Sequence, residues 1–128
     1  MRIQDMEHND YNASRNDEVE VALARRYGNS VNAFWLSRED NDYPFIIILV
    51  NREISSIHYF PLEGHPGFRP VGHAVLPAQG MTTFFMNSPR EAEYMINASV
   101  VPFSTALAVA KEFLISTALP RSVEWFEL

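Results

Sequence analysis

The chain has 128 residues, of which 47% are hydrophobic and 20% are charged, and its formal net charge is −6. This length and composition predict one globular domain and exclude a disordered polar chain, a collagen-like repeat and a small disulfide scaffold. Because the sequence contains no cysteine, it also excludes zinc–thiolate sites, iron–sulfur clusters and cysteine nucleophiles.

The first 28 residues are predicted to form a flexible tail followed by a helix. Residues 1–13 contain several acidic and amide side chains and little apolar content, so we interpret them as a flexible N-terminal tail, with residues 14–128 as the single domain. Ser14 and Asp17 match a capping box, and Gly28 is a suitable C-terminal stop. The pattern therefore predicts a helix over residues 14–28.

Next come segments with the pattern of β-strands. Residues 31–36 are predicted to be a strand, and residues 45–50 are apolar at every position, which is typical of a central strand covered on both faces. A short connection at residues 51–53 leads into residues 54–60, which predicts a β-hairpin.

A loop rich in proline and glycine follows at residues 61–70. Further strands are predicted over residues 71–76, 82–86 and 98–101, where β-branched and aromatic residues are separated by turn residues.

The last part of the chain contains the clearest helix. Residues 104–118 carry an apolar stripe at helical spacing, with Ser104 as the predicted N-cap and Pro120 beyond the end. Residues 122–128 alternate and are predicted to be the final strand. The chain should therefore be an α+β single domain with a mainly antiparallel sheet of about five to six strands packed with two helices.

Charge and hydropathy also bear on location and partners. Nucleic acid and anionic membranes attract clustered cations, so an excess of 16 acidic over 10 basic residues favours neither of them and suits a basic protein partner. No apolar segment follows the polar start, and the longest apolar run, residues 45–50, is too short to cross a bilayer. We expect a cytoplasmic protein without a secretory signal.

Motifs for catalysis or cofactor binding are absent from the sequence. The five glycines form no phosphate-binding pattern, and neither a GxSxG nor an HExxH motif occurs. We therefore predict no catalytic residue, no cofactor and no metal. One alternative stays open, in which His58, Glu63 and His65 serve a small enzyme as acid–base or metal-binding groups, although structural roles are favoured.

Several segments, taken in chain order, resemble one known family. They are PFIIILVN at 44–51, IHYFP at 57–61, GHPGF at 64–68, TTFF at 82–85, VVPFSTAL at 100–107, KEF at 111–113 and LPRSVEW at 119–125. Their ordered combination resembles the first immunity-protein family of bacterial polymorphic toxin systems and covers roughly residues 30–128.

The resemblance implies a function in competition between bacteria. Members of that family are small cytosolic α+β proteins that bind the C-terminal catalytic domain of a toxin delivered between neighbouring cells and block it. Their toxins include nucleic-acid deaminases and nucleases. The resemblance carries no catalytic residue, and it implies that the partner is a cognate toxin domain.

Two segments are predicted to contact that partner, one an acidic turn and the other the proline- and glycine-rich loop. The candidate residues are Glu39, Asp40 and Asp42 in the turn, and Glu63, His65, Phe68 and Arg69 in the loop. The GHPG sequence is also well suited simply to setting a sharp turn. A further alternative is a structural adaptor that forms a homodimer through an exposed strand at residues 123–128.

Overall fold

The computed structural model describes residues 1–71, 76–77 and 79–128. Within them are two α-helices and ten β-strands. The strands are β1 (Arg2–Asp5), β2 (Asp10–Asn12), β3 (Val31–Ser37), β4 (Phe45–Asn51), β5 (Ile54–Phe60), β6 (Phe68–Pro70), β7 (Met81–Phe85), β8 (Ala92–Ile96), β9 (Val100–Pro102) and β10 (Trp125–Glu127); the helices are α1 (Asn16–Leu23) and α2 (Phe103–Ile115).

The strands form one large sheet and one small hairpin. The large sheet has eight strands in the order β10–β6–β5–β4–β3–β1–β2, with β9 also pairing with β5, while β7 and β8 pair with each other. Each of these pairings is antiparallel. The predicted α+β class with two helices is confirmed, and the large sheet has more strands than the expected five to six.

The main core lies between the large sheet and the helices. Side chains from alternate positions of β3, β4 and β5, among them Phe34, Ile48 and Ile57, are at most 1% exposed. Phe113 from α2 packs into the same cluster. Because side chains alternate along a strand, the residues between these positions face the opposite side of the sheet.

The β7–β8 hairpin covers part of that opposite side. Phe84 of β7 is fully buried in a second cluster with Val31, Ala33 and Leu49. The side-chain amide of Asn51 donates a hydrogen bond of 2.9 Å to the carbonyl oxygen of Thr83, which joins the hairpin to the end of β4.

The expected flexible tail at residues 1–13 is wrong, because these residues form β1 and β2. β1 pairs with both β2 and β3, and Ile3 is fully buried in the main core. The buried carboxylate of Asp5 fixes the turn between the two strands by accepting hydrogen bonds from the backbone N–H of Asn9 (3.1 Å) and the hydroxyl of Tyr27 (2.7 Å). The domain boundary expected after residue 13 therefore does not exist.

Helix α1 is shorter than the predicted helix at residues 14–28. It begins after Arg15, and Glu18 at the third helical position accepts a hydrogen bond of 3.1 Å from the backbone N–H of Arg15. It ends early because residues of β3 form hydrogen bonds with the backbone groups of Arg25 and Tyr27. The side chain of Asn32 donates to the carbonyl oxygen of Arg25 (2.9 Å), and Tyr27 forms a bridge with Val31.

The remaining differences concern element ends and one strand that the sequence pattern did not predict. α2 begins at Phe103, with Pro102 rather than Ser104 as its N-cap. The last three residues of the expected loop 61–70 form β6, and β8 was not predicted. The predicted strand at residues 71–76 falls mainly on residues 72–75, which lie outside the described residues.

Neither helix in the described part of the chain combines the length and apolar character needed to cross a bilayer.

Candidate functional site

The side of the large sheet opposite the helices is only partly covered where β3 ends, β4 begins and β5 ends. The strand register places Trp35 opposite Ile47 and Ile47 opposite His58. It also places Phe45 opposite Phe60 in the next row. All five side chains are partly exposed. Trp35 and Ile47 pack in part against the second cluster, so these side chains adjoin the area that the β7–β8 hairpin covers.

Four of the rings on this face form a continuous ladder. Tyr43 meets Phe45 edge to face at a centroid distance of 5.1 Å, Phe45 stacks on Phe60 at 4.6 Å, and Phe60 stacks on His58 at 4.1 Å. Such aromatic contacts contribute about 0.5–1.5 kcal/mol each beyond the area they bury. The rings are therefore held in place by one another. We call Trp35, Tyr43, Phe45, His58 and Phe60 together the outer aromatic surface.

The outer aromatic surface was not among the predicted sites. Phe45 belongs to the segment 45–50 that is predicted to be covered on both faces, and Phe60 ends the segment that is predicted as the second strand of the hairpin. The sequence does contain a signal, because aromatic residues stand at the outer ends of three predicted strands. Those ends lie side by side only once the strand register is known.

The acidic turn predicted to contact a partner is divided between two sides of the sheet. Asp42 is exposed beside the outer aromatic surface, where it lines a cavity with Trp35, Tyr43 and Phe45. Glu39 and Asp40 instead line a cavity formed with the end of α2. Of the three acidic residues, only Asp42 adjoins the aromatic side chains, and contact of the turn with a partner stays a prediction.

His58 of β5 and His65 of the proline- and glycine-rich loop hold that loop against the sheet. Nε2–H of His58 donates a hydrogen bond of 2.8 Å to the carbonyl oxygen of Pro66. His65 accepts one at Nδ1 from the backbone N–H of Gly67 (2.8 Å) and contacts a carboxylate oxygen of Glu127 through Nε2 (2.8 Å). Burial lowers the pKa of His58, and the hydrogen bond to the Pro66 carbonyl opposes that shift. Burial therefore favours the neutral form of His58.

The other candidate residues of the loop lie in different environments. Phe68 is the first residue of β6 and packs against the main core, with its ring 6.1 Å from that of Tyr59. The expectation that Phe68 is a loop residue is wrong. Arg69 lies over the ring of Phe126 at 4.7 Å, and Glu63 is exposed.

The three residues of the enzyme alternative, His58, Glu63 and His65, are not joined to one another by hydrogen bonds. His58 and His65 each bond to a neighbouring backbone group, and no hydrogen bond joins Glu63 to either of them. Within residues 1–71, 76–77 and 79–128, no group of three or more histidine, aspartate or glutamate side chains is placed to hold a metal ion.

The predicted C-terminal strand is present as β10 at the edge of the large sheet. It pairs with β6, and Phe126 is 50% exposed and Leu128 47% exposed. Dimerisation through this edge stays a prediction.

We expect Gly67→Ala to destabilise the protein by roughly 1–3 kcal/mol more than Gly64→Ala. Both glycines have positive φ, +96° at Gly67 and +82° at Gly64, so both substitutions bear a left-handed backbone cost. Only at Gly67 would the added Cβ collide, at 2.5 Å from His58 Nε2 and 2.8 Å from the carbonyl oxygen of Tyr59. Urea unfolding of both variants measures the difference, and equal losses would contradict the close approach of loop and sheet.

Comparison of the chain with protein-family models and with curated proteins finds no match. The resemblance to an immunity-protein family therefore stays a prediction.

Proposed function

We propose that this chain is a cytoplasmic immunity protein that binds the C-terminal catalytic domain of a cognate bacterial toxin. It neutralises the toxin by covering its active site and catalyses no reaction itself. The observation that carries the proposal is the outer aromatic surface, because it presents the residue types that dominate binding energy at protein interfaces.

The outer aromatic surface has the physical properties of an interface centre. Tryptophan and tyrosine are enriched among the residues whose truncation costs most in binding. Here Trp35, Phe45, His58 and Phe60 lie on paired β-strands, and the last three stack on one another. Because a ring held in this way loses little conformational entropy when a partner covers it, most of its burial contributes to affinity.

The charge of the chain favours a basic partner. A toxin that acts on nucleic acid, such as a deaminase or a nuclease, needs cationic groups to hold phosphate. An inhibitor with a net charge of −6 attracts such a surface and accelerates association. The exposed carboxylate of Asp42 supplies a negative group beside the aromatic rings.

A lasting block also requires a sufficiently large interface. Stable complexes bury roughly 1,600 Å² in total, with an apolar centre and a polar rim. The rings span β3, β4 and β5, and the adjoining strands supply polar groups such as the paired Arg2 and Asp10, joined at 2.9 Å. The site thus has the apolar centre and polar surroundings that a protein partner requires.

The test is capture of the partner from the source cells followed by an activity assay. This chain serves as bait, and mass spectrometry identifies what remains bound through a salt wash. We expect one stoichiometric partner, the C-terminal domain of a large secreted protein, and we expect that purified domain to lose its activity when mixed with this chain. If the toxin domain encoded beside this chain stays fully active in a stoichiometric mixture, the proposal is wrong.

A further inference from the structure

The outer aromatic surface contains a cavity of about 330 Å³ where β1, β3 and β4 lie side by side. Its lining residues are Gln4, Trp35, Leu36, Ser37, Asp42, Tyr43 and Phe45. The volume is at the lower end of the range of roughly 300–1,000 Å³ found for ligand pockets. It suits one long side chain of a partner better than a separate large ligand.

Three aromatic residues give this cavity walls that attract cations. The faces of tryptophan, tyrosine and phenylalanine rings carry negative partial charge, and a cation within about 6 Å of a ring centre is stabilised, most strongly by tryptophan. Trp35, Tyr43 and Phe45 are all partly exposed, so their rings remain accessible from solvent. Tyr43 and Phe45 already meet edge to face, which holds that wall in position.

Asp42 adds a full negative charge at the same cavity. Its side chain is exposed, and no cationic group of the described residues lies within 4 Å of its carboxylate. The neighbouring Arg2 is already committed to Asp10, with two hydrogen bonds of 2.9 and 3.2 Å. The pKa of Arg2 is raised mainly by its hydrogen bonds to Asp10 and more weakly by the charge of Asp42. Asp42 therefore lies near the Arg2 guanidinium without forming an ion pair with it.

We infer that this cavity binds a cationic side chain of the partner protein, with arginine fitting better than lysine. A planar guanidinium stacks on aromatic rings and bonds to a carboxylate at the same time, whereas an ammonium group is more strongly hydrated. The inference rests on the proposed function for the identity of the partner, a basic toxin domain. It adds that an arginine inserted between Trp35 and Asp42 anchors that domain.

The experiment uses the isolated protein and N-acetyl-arginine amide as the probe. The ¹⁵N-labelled chain is titrated, and backbone amide signals around the cavity are followed together with the two indole N–H signals. We expect saturable shifts at Trp35, Asp42 and Tyr43 with millimolar affinity. The indole of Trp125, which donates to the carbonyl oxygen of Pro120 at 2.6 Å, is an internal reference that should not shift.

Two matched controls make the test specific. The citrulline analogue of the probe has nearly the same shape without the charge, and it should bind about tenfold more weakly. Asp42→Asn should weaken the binding of the arginine probe by a similar factor. Asp40→Asn removes the same charge two residues away at the other cavity and should leave that affinity unchanged.

Equal shifts with the arginine and citrulline probes, or no saturable shift at Trp35, would overturn the inference. So would equal effects of the two aspartate variants. Because the titration contains no toxin, either result leaves the immunity function to be decided by the capture and activity assays. A failure of those assays, in turn, would not remove a measured arginine site.

Discussion

Ile3→Ala should lower the free energy of unfolding by about 2–5 kcal/mol, as expected for truncation of a large buried aliphatic side chain. Ile3 is fully buried, although it is the third residue of the chain. It lies in β1, opposite Leu36 of β3, and packs into the main core. A flexible tail would tolerate this substitution without any loss of stability, so the measurement decides whether the N-terminal segment belongs to the domain.

Ile115→Ala is the matched control for that prediction. It removes the same atoms from a side chain that is 81% exposed at the end of α2, and its effect should stay within about 0.5 kcal/mol. Both variants are compared with the unsubstituted chain by urea unfolding monitored through tryptophan fluorescence. Similar midpoints for Ile3→Ala and the unsubstituted chain would show that β1 contributes nothing to the fold.

Phe45→Ala should weaken the complex with the toxin domain by about 30-fold or more, the loss expected when an anchor residue worth about 2 kcal/mol is truncated. Phe45 lies at the middle of the ring ladder, between Tyr43 and Phe60, and also lines the arginine cavity. The substitution removes the ring that contacts both Tyr43 and Phe60, so each of these rings loses an aromatic contact. The affinity is measured by calorimetry with the partner obtained by capture.

Tyr94→Ala is the control for binding. Tyr94 is an exposed aromatic residue too, at 61%, but it lies in β8 of the separate hairpin. Its truncation should leave the affinity within about threefold of the unsubstituted protein. If Tyr94→Ala weakens the complex and Phe45→Ala does not, the interface lies on the hairpin rather than on the outer aromatic surface.

The elements with a strong local pattern were predictable. Helix α2 carries its apolar stripe within its own sequence, and the hairpin of β4 and β5 is two β-rich segments with a short connection. In both cases the residues that stabilise the element are close together in the chain, so the pattern is visible without knowledge of the fold.

Elements that depend on distant partners were predicted poorly. β1 has only four residues, and its place in the sheet is given by β3, which pairs with it from about 30 positions further along the chain. β8 contains mainly exposed residues, and its partner among the described residues is β7. Short strands of this kind take their conformation from tertiary pairing, which overrides weak local preference.

The candidate site shows the same limit. The sequence contains every ring of the outer aromatic surface, but their proximity depends on the register Phe45 to Phe60 and Trp35 to Ile47. Contact of the loop residues Glu63, His65, Phe68 and Arg69 with a partner stays a prediction from composition. In the structure, His58 of β5 and His65 of the loop bond to backbone groups of the loop, and Phe68 packs against the main core.

Because side chains alternate along β4, the strand contains both positions that form the core and positions that are accessible from solvent. Ile46 and Ile48 point into the core and are fully buried, while Phe45 and Ile47 between them are partly exposed on the other face. Replacing the partly exposed Phe45 or Ile47 should cost less folding stability than replacing Ile46 or Ile48, whereas Leu49 is again buried, in the second cluster. Under the proposed function, specificity can therefore change at Phe45 and Ile47 while the core residues of the same strand keep the scaffold.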